Sequence, residues 1–153
     1  MRNFKKVSQK NLGDILVERG VVNHEQVTKA IAFQKEQGGL LGEIFVELKF
    51  ATEEDIAQAI TSQYGFPYLP LGDYEIDVDV IRTVPENVCR QFCLIPIDKI
   101  GKSLTLAMSN PLNTDALEDI ELITGCSVQT FVSTATDIKT ALNKYYSQPG
   151  QGA

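Results

Sequence analysis

An internal duplication constrains the fold of this chain more than any other feature of its sequence. Residues 11–34 align without a gap to residues 40–63, at a constant offset of 29 positions. The identical pairs include Leu12 and Leu41, Gly13 and Gly42, Ile15 and Ile44, Val17 and Val46, and Gln34 and Gln63. Because similarity at a fixed spacing marks repeated supersecondary units, each copy is predicted to be one such unit.

Each copy is predicted to contain two short helices. Apolar residues recur at helical spacing on both sides of a turn, where the first copy has Gly20 and the second has Lys49. The predicted capping boxes of the second helices are Asn23 with Gln26 and Thr52 with Asp55. A helix pair this short cannot bury its own apolar face. We therefore expect the two copies to pack together as one helical subdomain over residues 11–64.

The composition changes after this duplication. Residues 65–74 are rich in proline, glycine and aromatic residues and are predicted to form an extended linker. Residues 75–146 are predicted to form a small α/β lobe. Its predicted helices are 78–83, 86–92, one that is capped by Asn113 or Thr114 and runs to Thr124, and 137–146. Its predicted strands are 93–99, 103–108 and 127–132. The predicted fold class is thus α+β, with an N-terminal duplicated helical subdomain followed by a small α/β lobe that has a three-stranded sheet and flanking helices.

Both ends of the chain are predicted to lie outside these domains. Residues 1–10 contain basic residues and no acidic ones, and they are predicted to form a basic flexible arm. This arm is either solvated or in contact with phosphate groups. Residues 147–153 lack apolar periodicity and are predicted to be a disordered tail or the start of a linker.

Charge and composition argue against several classes of function. The chain has 14 basic and 20 acidic residues, a formal net charge of −6. We therefore expect no DNA or RNA partner, because nucleic-acid affinity depends largely on neutralising phosphates. The sequence has three cysteines, no signal-peptide pattern and no long apolar run. A reducing cytoplasmic location without a membrane span is the corresponding expectation.

No group of residues in the sequence has the pattern of a catalytic or metal site. Residues 101–103 read Gly-Lys-Ser, but Pro96 stands where a phosphate-binding loop needs its first glycine. Cys89 and Cys93 are four residues apart on a predicted helix, and burial explains them better than metal binding because no second ligand pair is available. We predict a non-catalytic module that needs no metal and no cofactor.

The Leu-Gly pairs that open the first helix of each copy are the candidates for a binding function. They are Leu12-Gly13 and Leu41-Gly42. Free backbone N–H groups at a helix start can bind an anion, and glycine lets the anion approach closely. Glycine also serves close contact between helices, and the sequence leaves both interpretations open.

The repeated Leu-Gly motif, Gln34 and the stretch from Tyr64 to Tyr146 together resemble the MshEN-type N-terminal domain of type II secretion and type IV pilus assembly ATPases. The resemblance covers about residues 11–146. It implies a regulatory and docking module that binds the cytoplasmic domain of an inner-membrane platform protein. Through that partner alone, the module would lie at the inner face of the bacterial inner membrane. The family's hexameric motor domain is absent from these residues.

The docking surface is predicted on the helical subdomain or on the aromatic residues of the linker. These aromatic residues are Tyr64, Phe66 and Tyr68. Aromatic side chains are favoured as anchors in interfaces, but core packing is an equally good explanation for them.

The resemblance also implies a candidate ligand, because the repeated motif binds cyclic di-GMP in some members of the family. By that analogy the binding residues are Asn11, Leu12, Gly13, Gln34, Leu41 and Gly42. Nucleotide-binding members begin the first motif with Arg-Leu-Gly, whereas this chain has Asn11 in place of the arginine. A bidentate arginine contact is worth about 1–3 kcal/mol. Asn11 is also a good helix N-cap, with Asp14 three residues later. Docking is thus the first hypothesis and cyclic di-GMP sensing the alternative.

Overall fold

The computed structural model describes residues 10–72 and 74–146. The predicted basic arm, apart from Lys10, and the predicted tail at 147–153 lie outside the described residues. The chain divides into two compact units, with the division between Gly65 and Phe66.

The N-terminal unit consists of two helix pairs, as the duplication predicts. The helices are α1 (Leu12–Glu18), α2 (His24–Gln37), α3 (Leu41–Glu47) and α4 (Glu53–Tyr64). The predicted capping boxes are confirmed at the starts of α2 and α4, where Asn23 and Thr52 each accept a hydrogen bond from the third residue of the helix. Each side chain satisfies a backbone donor that would otherwise have no partner within the helix.

The two copies also share the hydrogen bonds that end their first helices. The N–H of Val21 donates to the carbonyl of Leu16 at 3.0 Å, and the N–H of Phe50 donates to the carbonyl of Phe45 at 2.9 Å. These pairs are equivalent under the offset of 29 residues. The duplication in the sequence is therefore a duplication of structure.

Each helix of the N-terminal unit packs mainly on a helix of the other copy. Helix α1 packs against α4, and α2 packs against α3. Arg19, the C-cap of α1, also donates a hydrogen bond to Gln58 of α4 at 2.6 Å. The fully buried side chains Leu16 and Phe45 occupy equivalent positions in the core of this unit. The two copies therefore pack across the repeat and share one hydrophobic core.

The C-terminal unit contains a three-stranded sheet and four helices. In chain order its elements are α5 (Val78–Ile81), α6 (Glu86–Phe92), β1 (Leu94–Ile100), β2 (Ser103–Met108), α7 (Thr114–Thr124), β3 (Ser127–Val132) and α8 (Ala135–Tyr146). The strand order is β1-β2-β3, with β1 antiparallel and β3 parallel to β2. The predicted α+β fold class is confirmed.

Four predicted boundaries in this unit were wrong by one or two residues. Strand β1 begins at Leu94, because Cys93 has a left-handed backbone with φ of 52° and ends α6, and it ends at Ile100, one residue later than predicted. Helix α5 ends at Ile81, two residues early, and α8 begins at Ala135, two residues before the predicted start. The hydroxyl of Thr134 accepts a hydrogen bond from the N–H of Asp137, which explains the earlier start of α8.

The segment after α4 runs in extended form along β3. The N–H of Leu69 donates to the carbonyl of Val132 at 2.9 Å, and the N–H of Val132 donates to the carbonyl of Pro67 at 2.8 Å. The N–H of Leu71 lies 3.4 Å from a carboxylate oxygen of Asp137 in α8, and Leu71 is buried. These bonds attach residues 67–71 to the C-terminal unit.

Candidate functional site

The start of α1 is organised by Asn11. Its side-chain oxygen accepts a hydrogen bond from the N–H of Asp14 at 2.9 Å, so Asn11 is the N-cap of the helix. The preceding residue, Lys10, forms an ion pair with Glu18 at the far end of α1. Lys10 therefore extends along the helix and does not take the place of an arginine at position 11.

Both glycines of the Leu-Gly motifs lie against the second helix of their own copy. A Cβ atom added to Gly13 would lie 3.1 Å from Cγ1 of Val27, and one added to Gly42 would lie 2.9 Å from Cγ2 of Ile56. Such contacts are too short for an ordinary side chain without a shift of the neighbour. Close helix–helix contact thus accounts for glycine at both positions.

The structure brings the two motifs together. A side-chain methyl group of Leu12 lies 3.6 Å from the position that a Cβ on Gly42 would occupy. Leu12, Leu41 and Gly42 are half-buried, Asn11 is exposed and Gly13 is buried. The two helix starts differ, however, because Leu40 is the N-cap of α3 and offers no side-chain hydrogen bond within the described chain.

Gln34 positions the start of the second copy. Its side-chain amide donates to the carbonyl of Gly39 at 3.0 Å, two residues before Leu41. Gln63, the equivalent residue of the second copy, places its amide 3.4 Å from the carbonyl of Lys10, two residues before Leu12. Each glutamine therefore contacts the backbone just before the Leu-Gly motif of the other copy.

Gln63 was not predicted as a site residue. Only 6% of Gln63 is exposed, which makes it one of the few buried polar residues of the described chain. The signal was present in the sequence, because Gln34 and Gln63 form an identical pair in the duplication.

A surface cleft lies beside the turn between α3 and α4. Its volume is about 410 Å³, and it is lined by Val21, Val46, Lys49, Phe50, Ala51, Thr52 and Asp55. The lining combines four apolar side chains with one basic side chain, one acidic side chain and one hydroxyl group. None of the six predicted ligand-binding residues lines this cleft.

The residues that could suggest chemistry have structural roles. Gly101 and Lys102 form the turn between β1 and β2, and Ser103 begins a strand, so this tripeptide does not precede a helix as a phosphate-binding loop would. Burial raises the pKa of the Cys89 thiol to about 12, which opposes formation of a reactive thiolate. Within residues 10–72 and 74–146, no cluster of histidine, cysteine and acidic side chains could hold a metal ion.

None of the described helices is both long enough and apolar enough to cross a membrane.

Comparison with known proteins identifies a matching domain family and related proteins. The MshEN domain family matches residues 64–152. The type IV pilus assembly ATPase PilB of Myxococcus xanthus is 30% identical over 139 residues, which is 91% of this chain and 25% of that protein. The chain thus spans about a quarter of the length of this relative. The matched part is the N-terminal domain, so the catalytic domain of the ATPase is not within these residues.

Two solved structures share the fold. One is described as MshE with cdg, and it superimposes with a TM-score of 0.78 at 27% sequence identity, covering 90% of this chain and 100% of that chain. The N-terminal domain of XpsE superimposes with a TM-score of 0.73 at 22% identity, covering 92% and 99% of the two chains.

Proposed function

The chain belongs to the MshEN domain family, and from this premise we propose that it is the non-catalytic regulatory and docking module of a type IV pilus assembly or type II secretion ATPase. Its proposed partner is the cytoplasmic part of an inner-membrane platform protein, which holds it at the inner face of that membrane. The observation that carries the proposal is the alignment of 91% of the chain with a quarter of a pilus assembly ATPase.

The architecture supports a role in binding. The two units have separate hydrophobic cores, one built from the helix pairs and one built around the sheet. Tyr64, the last residue of α4, and the linker residues Phe66 and Tyr68 are all half-buried, and Tyr68 forms a β-bridge with Val132. The most exposed large apolar side chains of the described chain lie elsewhere. These exposed apolar side chains are therefore better candidate anchors for a docking surface than the aromatic residues of the linker.

The docking proposal is tested by isothermal titration calorimetry. The full chain of 153 residues is titrated with the cytoplasmic domain of the inner-membrane platform protein of the same secretion or pilus system. We expect a saturable complex with defined stoichiometry. Absence of binding at about 100 μM, which corresponds to roughly −5.5 kcal/mol, contradicts the proposal. The cytoplasmic domain of an unrelated inner-membrane protein is the control.

Binding of cyclic di-GMP is the alternative function, supported by two observations. The solved structure described as MshE with cdg resembles this chain over 90% of its length at 27% identity. The methyl group of Leu12 also lies close to Gly42, so the two motifs are neighbours. We propose that Asn11, Leu12, Gly13, Gln34, Leu41 and Gly42 contact the ligand, with the leucines against its bases.

The alternative is tested by titration of the chain with cyclic di-GMP, with GMP as the control. Saturation below about 100 μM by cyclic di-GMP and not by GMP supports it. Absence of saturation leaves docking as the function of the module.

A further inference from the structure

The C-terminal unit exposes three large apolar side chains at one end of its sheet. Leu122 and Ile123, at the end of α7, have 83% and 49% of their surface exposed, and Ile100, at the end of β1, has 74% exposed. Leu122 and Ile100 are the most exposed large hydrophobic residues in the described chain. We call Ile100, Leu122 and Ile123 the α7 patch.

The register of the sheet places these three residues at the same end of the unit. Ile100 lies opposite Ser103 on β2, and Ser103 lies opposite Ser127 on β3. Helix α7 ends at Thr124 and is followed, after two residues, by Ser127. Neighbouring strands are about 4.7–4.9 Å apart, so Ile100 lies about 10 Å from the strand residue that follows α7. Single exposed apolar residues are common on protein surfaces, whereas here three of them lie at the same end of one unit.

Acidic side chains border the patch along α7. The helix contains Asp115, Glu118, Asp119 and Glu121 and no basic residue. Asp115 and Asp119 are exposed and precede Leu122 at helical spacing, so they continue the same stripe of the helix surface. The carbonyl end of α7 adds partial negative charge.

The other side of the patch has the opposite charge. Lys99 and Lys102 flank Ile100 at the turn between β1 and β2, and both are exposed. Asp98 is exposed beside Lys99, so the hairpin with its two lysines is weakly basic, whereas α7 is acidic.

We propose that the α7 patch docks a basic amphipathic helix of the membrane partner, an inference that rests on the proposed docking function. The apolar face of that helix covers Leu122, Ile123 and Ile100, and its lysine or arginine residues pair with Asp115 and Asp119. Cytoplasmic segments next to a membrane span carry an excess of such residues, which fits this occupant. Lys99 and Lys102 repel a basic segment, so they fix the direction in which the helix lies.

The test uses the full chain and the cytoplasmic domain of the platform protein, with its membrane-proximal segment included. Binding is measured for the wild type, for the double variant Leu122→Ser with Ile123→Ser, and for Val78→Ser. Val78 is the matched control, because 49% of its surface is exposed, as for Ile123, and it lies outside the patch. We expect the double variant to bind at least about tenfold more weakly and Val78→Ser to bind within about twofold of the wild type.

A second variant probes the charges without altering the apolar centre. Asp115→Asn with Asp119→Asn is expected to lower the association rate constant and to reduce its dependence on salt concentration. Replacement of the lysine and arginine residues in the membrane-proximal segment of the partner should have the same effect.

The outcomes separate this inference from the function on which it rests. If the wild type binds and both double variants bind with the same affinity, the docking surface lies elsewhere. That result overturns the inference but not the proposed docking function. Failure of the wild type to bind removes the proposed docking function and the inference together. Sedimentation also compares the mass of the isolated wild type with that of the Leu122→Ser, Ile123→Ser variant. If the mass of the variant is lower, the patch joins two copies of the chain and the inference is wrong.

Discussion

Lys49 adopts in the second helix pair the left-handed backbone conformation that Gly20 adopts in the first, with φ of 63° and 75° respectively. The two residues are equivalent under the duplication, and each follows the C-cap of a short helix. This conformation costs a residue with a side chain about 1–2 kcal/mol and costs glycine almost nothing. The second turn is therefore strained where the first is not.

Replacing Lys49 with glycine should relieve this strain. We expect Lys49→Gly to raise the free energy of unfolding by about 0.5–1 kcal/mol, because the added flexibility of glycine in the unfolded chain offsets part of the gain. Urea denaturation measures the change. Gly20→Ala is the reciprocal variant and should destabilise by about 1 kcal/mol. A loss of stability in Lys49→Gly would show that contacts of the lysine outweigh its backbone strain.

The two equivalent glutamines should differ in their contribution to stability. Gln63 is buried, and its replacement by alanine leaves the carbonyl of Lys10 without this donor, so we expect a loss of about 1–2 kcal/mol. Gln34 is half-buried and its acceptor, Gly39, is exposed, so Gln34→Ala should cost less. Chemical denaturation compares the two variants. Equal losses would mean that burial does not distinguish the two hydrogen bonds.

The contact between Gly42 and Ile56 should make position 42 intolerant of even a methyl group. We expect Gly42→Ala to destabilise by about 1–3 kcal/mol, because the new Cβ would lie 2.9 Å from Cγ2 of Ile56. Gly13→Ala should cost less, since its nearest neighbour is at 3.1 Å. In an Ile56→Ala background, which removes Cγ2, the cost of Gly42→Ala should fall. An equal cost in both backgrounds would exclude this contact as the cause.

Asn11→Arg should separate the two roles of the first motif position. The variant loses the N-cap of α1, which costs about 1 kcal/mol of stability. If the repeat binds cyclic di-GMP, the new guanidinium should tighten binding by roughly 10- to 100-fold. Asn11→Asp keeps a capping side chain without the guanidinium and is the control for the titration. Lower stability with unchanged affinity would leave position 11 with a capping role alone.

Stability should fall at alkaline pH because of Cys89. Burial is the main cause that raises the pKa of its thiol from 9.0 to about 12, so the folded state favours the neutral thiol. The resulting stabilisation is complete below pH 9 and is lost as the pH rises from 9 towards 12. The free energy of unfolding, measured across this range, should decline less steeply in Cys89→Ala than in the wild type.

A second titrating group acts in the same range and provides the comparison. Burial also raises the pKa of Tyr146 to about 12, and its hydroxyl donates to the carbonyl of Ile81 at 3.0 Å. Tyr146→Phe in the Cys89→Ala background should flatten the alkaline decline further. An unchanged decline in both variants would assign it to other groups.

Local signals made much of the N-terminal unit predictable. The capping residues Asn11, Asn23 and Thr52 were identified because a cap involves atoms only three residues apart in sequence. The boundary at Cys93 was wrong because a left-handed backbone in a residue other than glycine or asparagine has no local sequence signal. Within the candidate site, Gln34 was identified, whereas the role of Gln63 depends on Lys10, 53 residues earlier.

The sequence by itself determined that two similar helix pairs precede an α/β lobe, because hydrophobic periodicity and capping act over a few residues. Only the tertiary structure decided that Gly13 and Gly42 face Val27 and Ile56, that β3 lies parallel to β2, and that Leu122 remains exposed. The environment of a side chain depends on segments that are distant in sequence and meet only when the chain folds. The same leucine pattern can therefore fill a core or form a surface for a partner.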